Sequence, residues 1–412
     1  MLTYSTQKNT ILAKNQFRAY SVRKKKNAYL DYAAAVPPTT YALRAFESAV
    51  RHFGNPSAAH THGRAAKDLL EKARASIAHA AGAKPEALIF TSGATEANAI
   101  AIRGHVRAKL SAGARPEELH LLYVEGAHAS VRETMEALKG EGVAVNAVPL
   151  KHGDIDTGAL AELVRKETTL VSIEAISSET GARFDLKSVR QTLDQMSKER
   201  KIFLHIDACQ LPLVESFERT RLAADLLSLD AQKVGGVRGI GCLIFAPNVP
   251  LHAVIEGGGQ ERGLRSGTES PALACAFAKA LAEAAAARES FAKRAAAMRE
   301  ALKESLLASI PHVVVNEGKK NAPHILNISV IGRDTDYLAA LLDERGYSVS
   351  TRSACETDSV DGSRAVRALT GDQARASSTL RISWGSDTKK SELSGFVKAL
   401  DEAVSFVDRN PL

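Results

Sequence analysis

Apolar and polar positions follow two rhythms along this chain, and the rhythms take turns. Short apolar runs at 87–90, 120–125, 143–150, 169–175, 202–206, 226–229 and 242–246 have the length and β-branched content of strands. Between several of them the apolar residues recur at helical spacing, at 65–81, 130–138, 159–166 and 186–199. The first of these stops at Gly82, a C-cap. The turn Thr91-Ser92-Gly93-Ala94-Thr95-Glu96 opens a further helix that runs through Ile102. Strand–helix alternation over roughly 220 residues predicts a mostly parallel sheet with helices on both faces. Ligands of such a sheet sit at the carboxyl ends of its strands. From 271 to about 310 the chain is alanine-rich, with Glu and Lys interleaved and no internal Gly or Pro, which predicts one long helix. Runs at 325–331, 337–346, 380–384 and 390–407 predict a smaller α+β unit. There are no repeats and no low-complexity tract.

Composition changes this picture little. With 412 residues, 45% hydrophobic and 25% charged, the chain can bury a substantial core in two domains. The net charge of +7 is local, because residues 1–28 hold Lys8, Lys14, Arg18, Arg23, Lys24, Lys25 and Lys26 and no acid. Without that arm the body is near neutral, so the charge does not indicate nucleic-acid binding. The arm is either a transit peptide, given its hydroxyl and basic residues, or a disordered extension. No apolar run approaches the ~20 residues of a membrane span. The cysteines are Cys209, Cys242, Cys275 and Cys355, with no Cys-x-x-Cys pair. Neither a structural zinc site nor a disulfide framework is indicated, and a reducing compartment fits.

Five turns at expected strand ends carry residues that could converge. Ser92-Gly93-Ala94-Thr95 opens a helix, and its backbone N–H groups and hydroxyls would either cradle a phosphate or simply cap the helix. His128 follows the next strand, as a structural histidine or as one that stacks on a ring and shuttles protons. Asp207 stands at another strand end, where it would hold a pyridinium proton or cap a helix. Lys233 ends the run Leu226–Asp230 before a glycine-rich turn. It is either a strand-end lysine reaching water or a desolvated amine suited to a Schiff base. The stretch Gly257-Gly258-Gly259-Gln260-Glu261-Arg262-Gly263 with Arg265-Ser266-Gly267-Thr268 is too glycine-dense for a plain linker. Together these are the parts of a pyridoxal phosphate site.

At this point the chain resembles the cysteine desulfurases of the NifS/IscS type, within the class V aminotransferase family. The matching stretches are Tyr29-Leu30-Asp31-Tyr32-Ala33-Ala34, Gly54-Asn55-Pro56-Ser57, Thr91 to Asn98, His205-Ile206-Asp207-Ala208-Cys209-Gln210, Gly257 to Thr268, Ile325-Leu326-Asn327-Ile328-Ser329, Ser353-Ala354-Cys355 and Leu380-Arg381-Ile382-Ser383. The resemblance implies an α/β fold of pyridoxal phosphate fold type I, like aspartate aminotransferase. Its large domain would be 29–275, with a mostly parallel sheet. A small C-terminal domain at 276–412, joined by the long helix, would carry the Cys355 loop.

The resemblance also implies roles. Lys233 resembles the Schiff-base lysine, and His128 the ring-stacking histidine that moves protons. Asp207 resembles the pyridinium partner, and Gln210 the side chain near the ring hydroxyl. Ala94 and Thr95 resemble phosphate binders, and Thr268 a phosphate contact donated by the neighbouring subunit of a homodimer. Arg381 resembles the clamp for the substrate carboxylate. Cys355, in a long polar loop at 350–363, resembles the nucleophile that takes sulfur from L-cysteine as a persulfide, leaves L-alanine and passes the sulfur to an acceptor or scaffold protein. No metal of its own is expected, although Cys355 could contact a cluster on a partner. Cys209, Cys242 and Cys275 sit in apolar runs as inert core residues. A cytoplasmic location is implied, or an organellar one if the arm is a transit peptide. The uses would be iron–sulfur cluster assembly or tRNA thiolation.

The chain departs from the family's pattern around the cofactor. Gln232 replaces a histidine, Asp230 a small hydroxyl residue, and Ser178 an asparagine, while Ala35-Val36 replaces two threonines. A carboxylate beside a phosphate is repulsive unless it is protonated or turned away. Lys233, Asp207, His128, Arg381 and Cys355 remain, so an active desulfurase is expected. Another enzyme on the same fold, a selenocysteine lyase or an aminotransferase, is the first alternative, and a transaminase would have no use for Cys355. A scaffold without cofactor is the second.

Overall fold

The computed structural model describes residues 27–197, 200–351 and 362–410. Most of the basic arm, and Cys355 with most of its expected loop, lie outside these. The main sheet has seven strands, in spatial order Leu88–Thr91, Gly241–Phe245, Leu226–Asp230, Phe203–Asp207, Thr168–Glu174, His120–Val124 and Ala144–Val148. All are parallel except Gly241–Phe245, which runs against both of its neighbours. The connection at 231–240 that precedes it is shorter than the dozen or so residues a crossover needs, so the chain has to turn back. Consecutive residues of the central strands are buried almost without exception. Successive side chains point to opposite faces, so both faces are covered, as in a doubly wound α/β domain.

A three-stranded antiparallel sheet, Val313–Val315, Ile325–Val330 and Thr379–Ser383, carries the second core with helices Thr335–Glu344 and Lys390–Arg409. The strand Ala28–Tyr29 pairs with Tyr347–Ser348, and Leu30 is buried in this second core. The long helix is Pro271–Ser309, capped by the Ser270 side chain and started by a proline at its first position. Its first half enters the large core and its second half the small one, so it ties the two together. Among the described residues no helix is long and apolar enough to cross a membrane.

One helix differs from its expected form. The helix from Ala94 does not stop at Ile102. A π turn at Ile100–Gly104 inserts an extra residue, and the chain continues as α-helix His105–Ser111. Gly104 lies against the backbone of His252 so closely that a Cβ would stand 2.8 Å from its carbonyl oxygen.

Candidate active site

Three neighbouring strands end at one edge of the sheet in carboxylates. Glu174, Asp207 and Asp230 close the strands Thr168–Glu174, Phe203–Asp207 and Leu226–Asp230, and Glu174 is in register with Asp207. The carboxyl ends surround a cavity of about 250 Å³ lined by residues that include Lys233, Asp207, His128, Thr95, Ser178 and Arg381. Ala94, Gln210, Asp230 and Gln232 line it too. Of the residues expected at the site, Thr268 is not brought there by this chain: it is exposed on the glycine-rich loop. That loop is anchored by Glu261, whose buried carboxylate takes both terminal nitrogens of Arg74, at 2.7 and 2.8 Å, and the N–H of Phe90 at 2.7 Å.

Lys233 points inward, and its Nζ donates to the carbonyls of Ala33 and Ala34, both at 2.8 Å. Burial holds its amine below the ordinary lysine value, and the Arg381 charge adds to the effect against the pull of nearby acids. A more easily deprotonated amine is what carbonyl addition requires. Two neutral acceptors, rather than a carboxylate, hold it there.

A chain of polar contacts runs from Asp207 to His128. Asn98 Nδ2 donates to Asp207 Oδ2 at 2.8 Å and to Ser130 Oγ at 2.9 Å. Ser130 Oγ lies 2.8 Å from His128 Nδ1, which also accepts the Ser130 backbone N–H at 3.1 Å. A backbone N–H can only donate, so Nδ1 is the unprotonated nitrogen and the neutral ring carries its proton on Nε2. The second oxygen of Asp207 accepts the Cys209 N–H at 3.1 Å. Behind Asp207, His205 bridges Ser172 and Ser228 in the sheet, and burial pushes it down to about 4, so it is a neutral structural histidine. Burial, with Asp207 and Asp230 nearby, pushes the Cys209 thiol well up, which fits its expected inertness although it lines the cavity.

Arg381 is buried on the strand Thr379–Ser383. Its Nη2 pairs with Asp31 at 2.7 Å and its Nη1 donates to the Ser178 carbonyl at 2.8 Å, while its buried Nε has no partner among the described residues. The guanidinium is thus in place but already holds a carboxylate. Gln210 gives its Nε2 to the Ala33 carbonyl at 2.9 Å.

The other end of the cavity is built differently. The Ala94 N–H, in the turn expected to cradle a phosphate, donates to Asp230 Oδ2 at 3.0 Å, and Asp230 Oδ1 accepts the Gln232 N–H at 3.0 Å. The Ser92 N–H donates to Glu96, which is paired with Arg265 at 2.9 Å. Asp230 is therefore not turned away from the cradle; it sits in it. Gly241, which cannot bear a Cβ because one would stand 2.7 Å from the Gly93 carbonyl carbon, packs this turn against the sheet.

Glu174 escaped the sequence reading because it is the polar end of an otherwise apolar run. Burial first, then Asp207 and Glu179, raise its carboxyl well above the usual range. Asn98 and Ser130 were missed too, since nothing in a helix start marks which polar residue turns inward. The signal that existed was Glu174 itself, a lone carboxyl near the end of an apolar run, as Asp207 and Asp230 are at the ends of theirs.

A pyridine ring with a basic nitrogen and a carbonyl would find Asp207, the Lys233 amine and the half-buried His128 ring within one cavity. The donor set fits pyridoxal phosphate at this end. Its phosphate end also has the expected N–H cradle, held at present by Asp230.

The fold and the site define a pyridoxal phosphate enzyme of the class V aminotransferases, and the family model for aminotransferase class V matches residues 28–396. The chain belongs to that family. Within it the chain is 33% identical over 407 residues to the mitochondrial cysteine desulfurase of Candida albicans, covering 97% of this chain and 81% of the relative. It is 31% identical over 383 residues to the cysteine desulfurase IscS of Dictyoglomus turgidum, covering 92% of this chain and 95% of the relative. A solved NifS-like protein superposes with a TM-score of 0.84 at 29% identity, over 92% of this chain and 100% of that one. The chain is a member of the NifS/IscS-type cysteine desulfurases, enzymes that depend on pyridoxal phosphate.

Proposed function

We propose that the chain removes sulfur from L-cysteine, leaving L-alanine, with Lys233, His128, Asp207 and Arg381 as the working residues and Cys355 as the sulfur acceptor. The observation that carries this reading is the convergence of the Lys233 amine, the Asp207–Asn98–Ser130–His128 chain and the Arg381 guanidinium on one cavity. Bound pyridoxal phosphate supplies an electron sink for bond breaking in the substrate. Lys233 would be the amine that holds the cofactor, and its Nζ would accept the α proton of the substrate. His128 holds or returns a proton on Nε2. Asp207 would hold the cofactor's ring nitrogen, its carboxylate fixed by Asn98 at Oδ2 and by the Cys209 N–H at Oδ1. Arg381 orients the substrate carboxylate, exchanging Asp31 for it. The Cys355 thiolate then forms an S–S bond to the substrate sulfur as the C–S bond breaks, and the electron pair left on carbon takes up a proton to give the methyl group of alanine.

The protein works as a homodimer in this reading, because Thr268 lies outside its own cavity and the helix Thr40–Ala49 leaves Tyr41 and Leu43 exposed, with Val50 and Phe53 exposed beyond it. The sulfur passes to an acceptor or scaffold protein, for iron–sulfur cluster assembly or tRNA thiolation, in the cytoplasm or in an organelle. The test is the yield of sulfide and alanine from L-cysteine with pyridoxal phosphate and a thiol reductant. Equal amounts of both are expected, lost in Lys233→Ala, with sulfur transfer lost in Cys355→Ser. Turnover unchanged in Lys233→Ala would exclude the proposed site.

A further inference from the structure

The helix-start donor at the phosphate end of the cavity already has an acceptor. Asp230 Oδ1 takes its own local amide, the Gln232 N–H, at 3.0 Å, and Oδ2 reaches across to the Ala94 N–H at 3.0 Å. The side chain is buried, and a Cβ on Gly93 would stand 3.2 Å from the same oxygen, so the fit is close. A carboxylate on the backbone N–H groups of a helix start makes the same kind of contact as a phosphate oxygen there. Lys233, three residues on, is held by two carbonyls, and Arg265 is held by Glu96 of the same helix start. Neither is paired with Asp230.

We propose that Asp230 is a built-in stand-in for the cofactor's phosphate group: it occupies the phosphate cradle and has to give up the Ala94 N–H when the phosphate binds. This rests on the cofactor reading of the same cavity. Three consequences follow. The phosphate contributes less to cofactor affinity than it would with a small hydroxyl residue at 230, because binding it must break the Asp230 contact and bring a carboxylate close to a phosphate dianion. The pyridine ring and aldehyde are unaffected, since they meet Lys233, Asp207 and His128 at the other end. The fold without cofactor is stabilised by the carboxylate that fills the cradle.

The measurement is the affinity of wild type, Asp230→Ser and Asp230→Asn for pyridoxal phosphate and for pyridoxal, which lacks the phosphate, followed by visible absorption. Thermal melting with and without inorganic phosphate runs in parallel. The preference for the phosphorylated ligand, the ratio of the two dissociation constants, is expected to rise at least about tenfold in Asp230→Ser, by removal of a buried charge a few ångströms from a dianion. Pyridoxal affinity should stay within about twofold. Both variants should melt lower than wild type without phosphate and gain more from it. Asp230→Asn keeps the size and one acceptor, so it guards against a Ser variant that fails to fold. An unchanged or smaller phosphate preference in both variants, with pyridoxal still bound, overturns the stand-in role alone. Failure of wild type and variants to bind either ligand overturns the cofactor reading with it.

Discussion

The two ends of the cavity are made by adjacent strands of one sheet, yet they solve opposite problems. At the ring end, Asp207 is held by two neutral donors, the Asn98 amide and the Cys209 N–H, and faces the cavity ready for a cation. At the phosphate end, Asp230 takes the equivalent local amide, the Gln232 N–H, but its other acceptor bond is to the helix-start Ala94 N–H, a donor that an anion would need. In the proposed reading, the same residue type at equivalent strand ends serves a positive nitrogen in one place and opposes a phosphate in the other. What decides is which donors the carboxylate takes: side-chain and local donors at Asp207, the helix-start amide at Asp230. A substitution is interpretable only with its partners in view.

The comparison can be broken most severely at its ring end. Asp207→Ala should lower turnover by about a hundredfold or more, the scale of losing an essential group of the proton-transfer machinery, and steady-state sulfide production measures it. Asn98→Ala should have a smaller effect, about ten- to a hundredfold, because it removes one hydrogen bond to a charged oxygen, worth about 1.5–3 kcal/mol. The same assay across pH separates it from a structural change: a positioning role changes the shape of the pH profile, whereas misfolding lowers the whole curve.

Glu174 sharpens the comparison through stability. Its carboxyl is raised in the folded protein, mainly by burial. Below the ordinary carboxyl range it is protonated in both folded and unfolded chains and has no effect. As pH rises above that range the unfolded chain ionises first and the folded state loses stability, until the folded carboxyl also ionises. Glu174→Gln should therefore match wild type in melting temperature at acidic pH and exceed it increasingly towards neutral pH. A difference that shrinks with rising pH would mean Glu174 is ionised and paired in the folded state. The smallest effect is expected for Cys209→Ala, which should keep sulfur transfer and cost about 1 kcal/mol of stability in a denaturant titration, since its thiol is held protonated beside the site.

Much of this was legible in the sequence because it is periodic or local. The strand runs ending at Asp207 and Asp230 come from apolar patterning, and Lys233 is marked by the glycine turn after it. The long helix Pro271–Ser309 follows from an uninterrupted alanine-rich run between prolines. What sequence could not show is contact across distance. Whether Asp230 turns away from the cradle depends on Ala94, 136 residues earlier, and the inward turn of Asn98 depends on Asp207, 109 residues later. Glu174 hid in an apolar run because only the assembled sheet sets it in register with Asp207. The engagement of Arg381 by Asp31, likewise, joins residues from opposite ends of the chain.

The central claim is that Lys233 is the amine that holds the cofactor. The direct measurement is borohydride reduction of the protein after incubation with pyridoxal phosphate, followed by mass analysis of its peptides. The account predicts one reduced phosphopyridoxyl adduct per chain, on the peptide containing Lys233 and lost in Lys233→Ala. Adducts spread over surface lysines, with the Lys233 peptide unmodified, would contradict it.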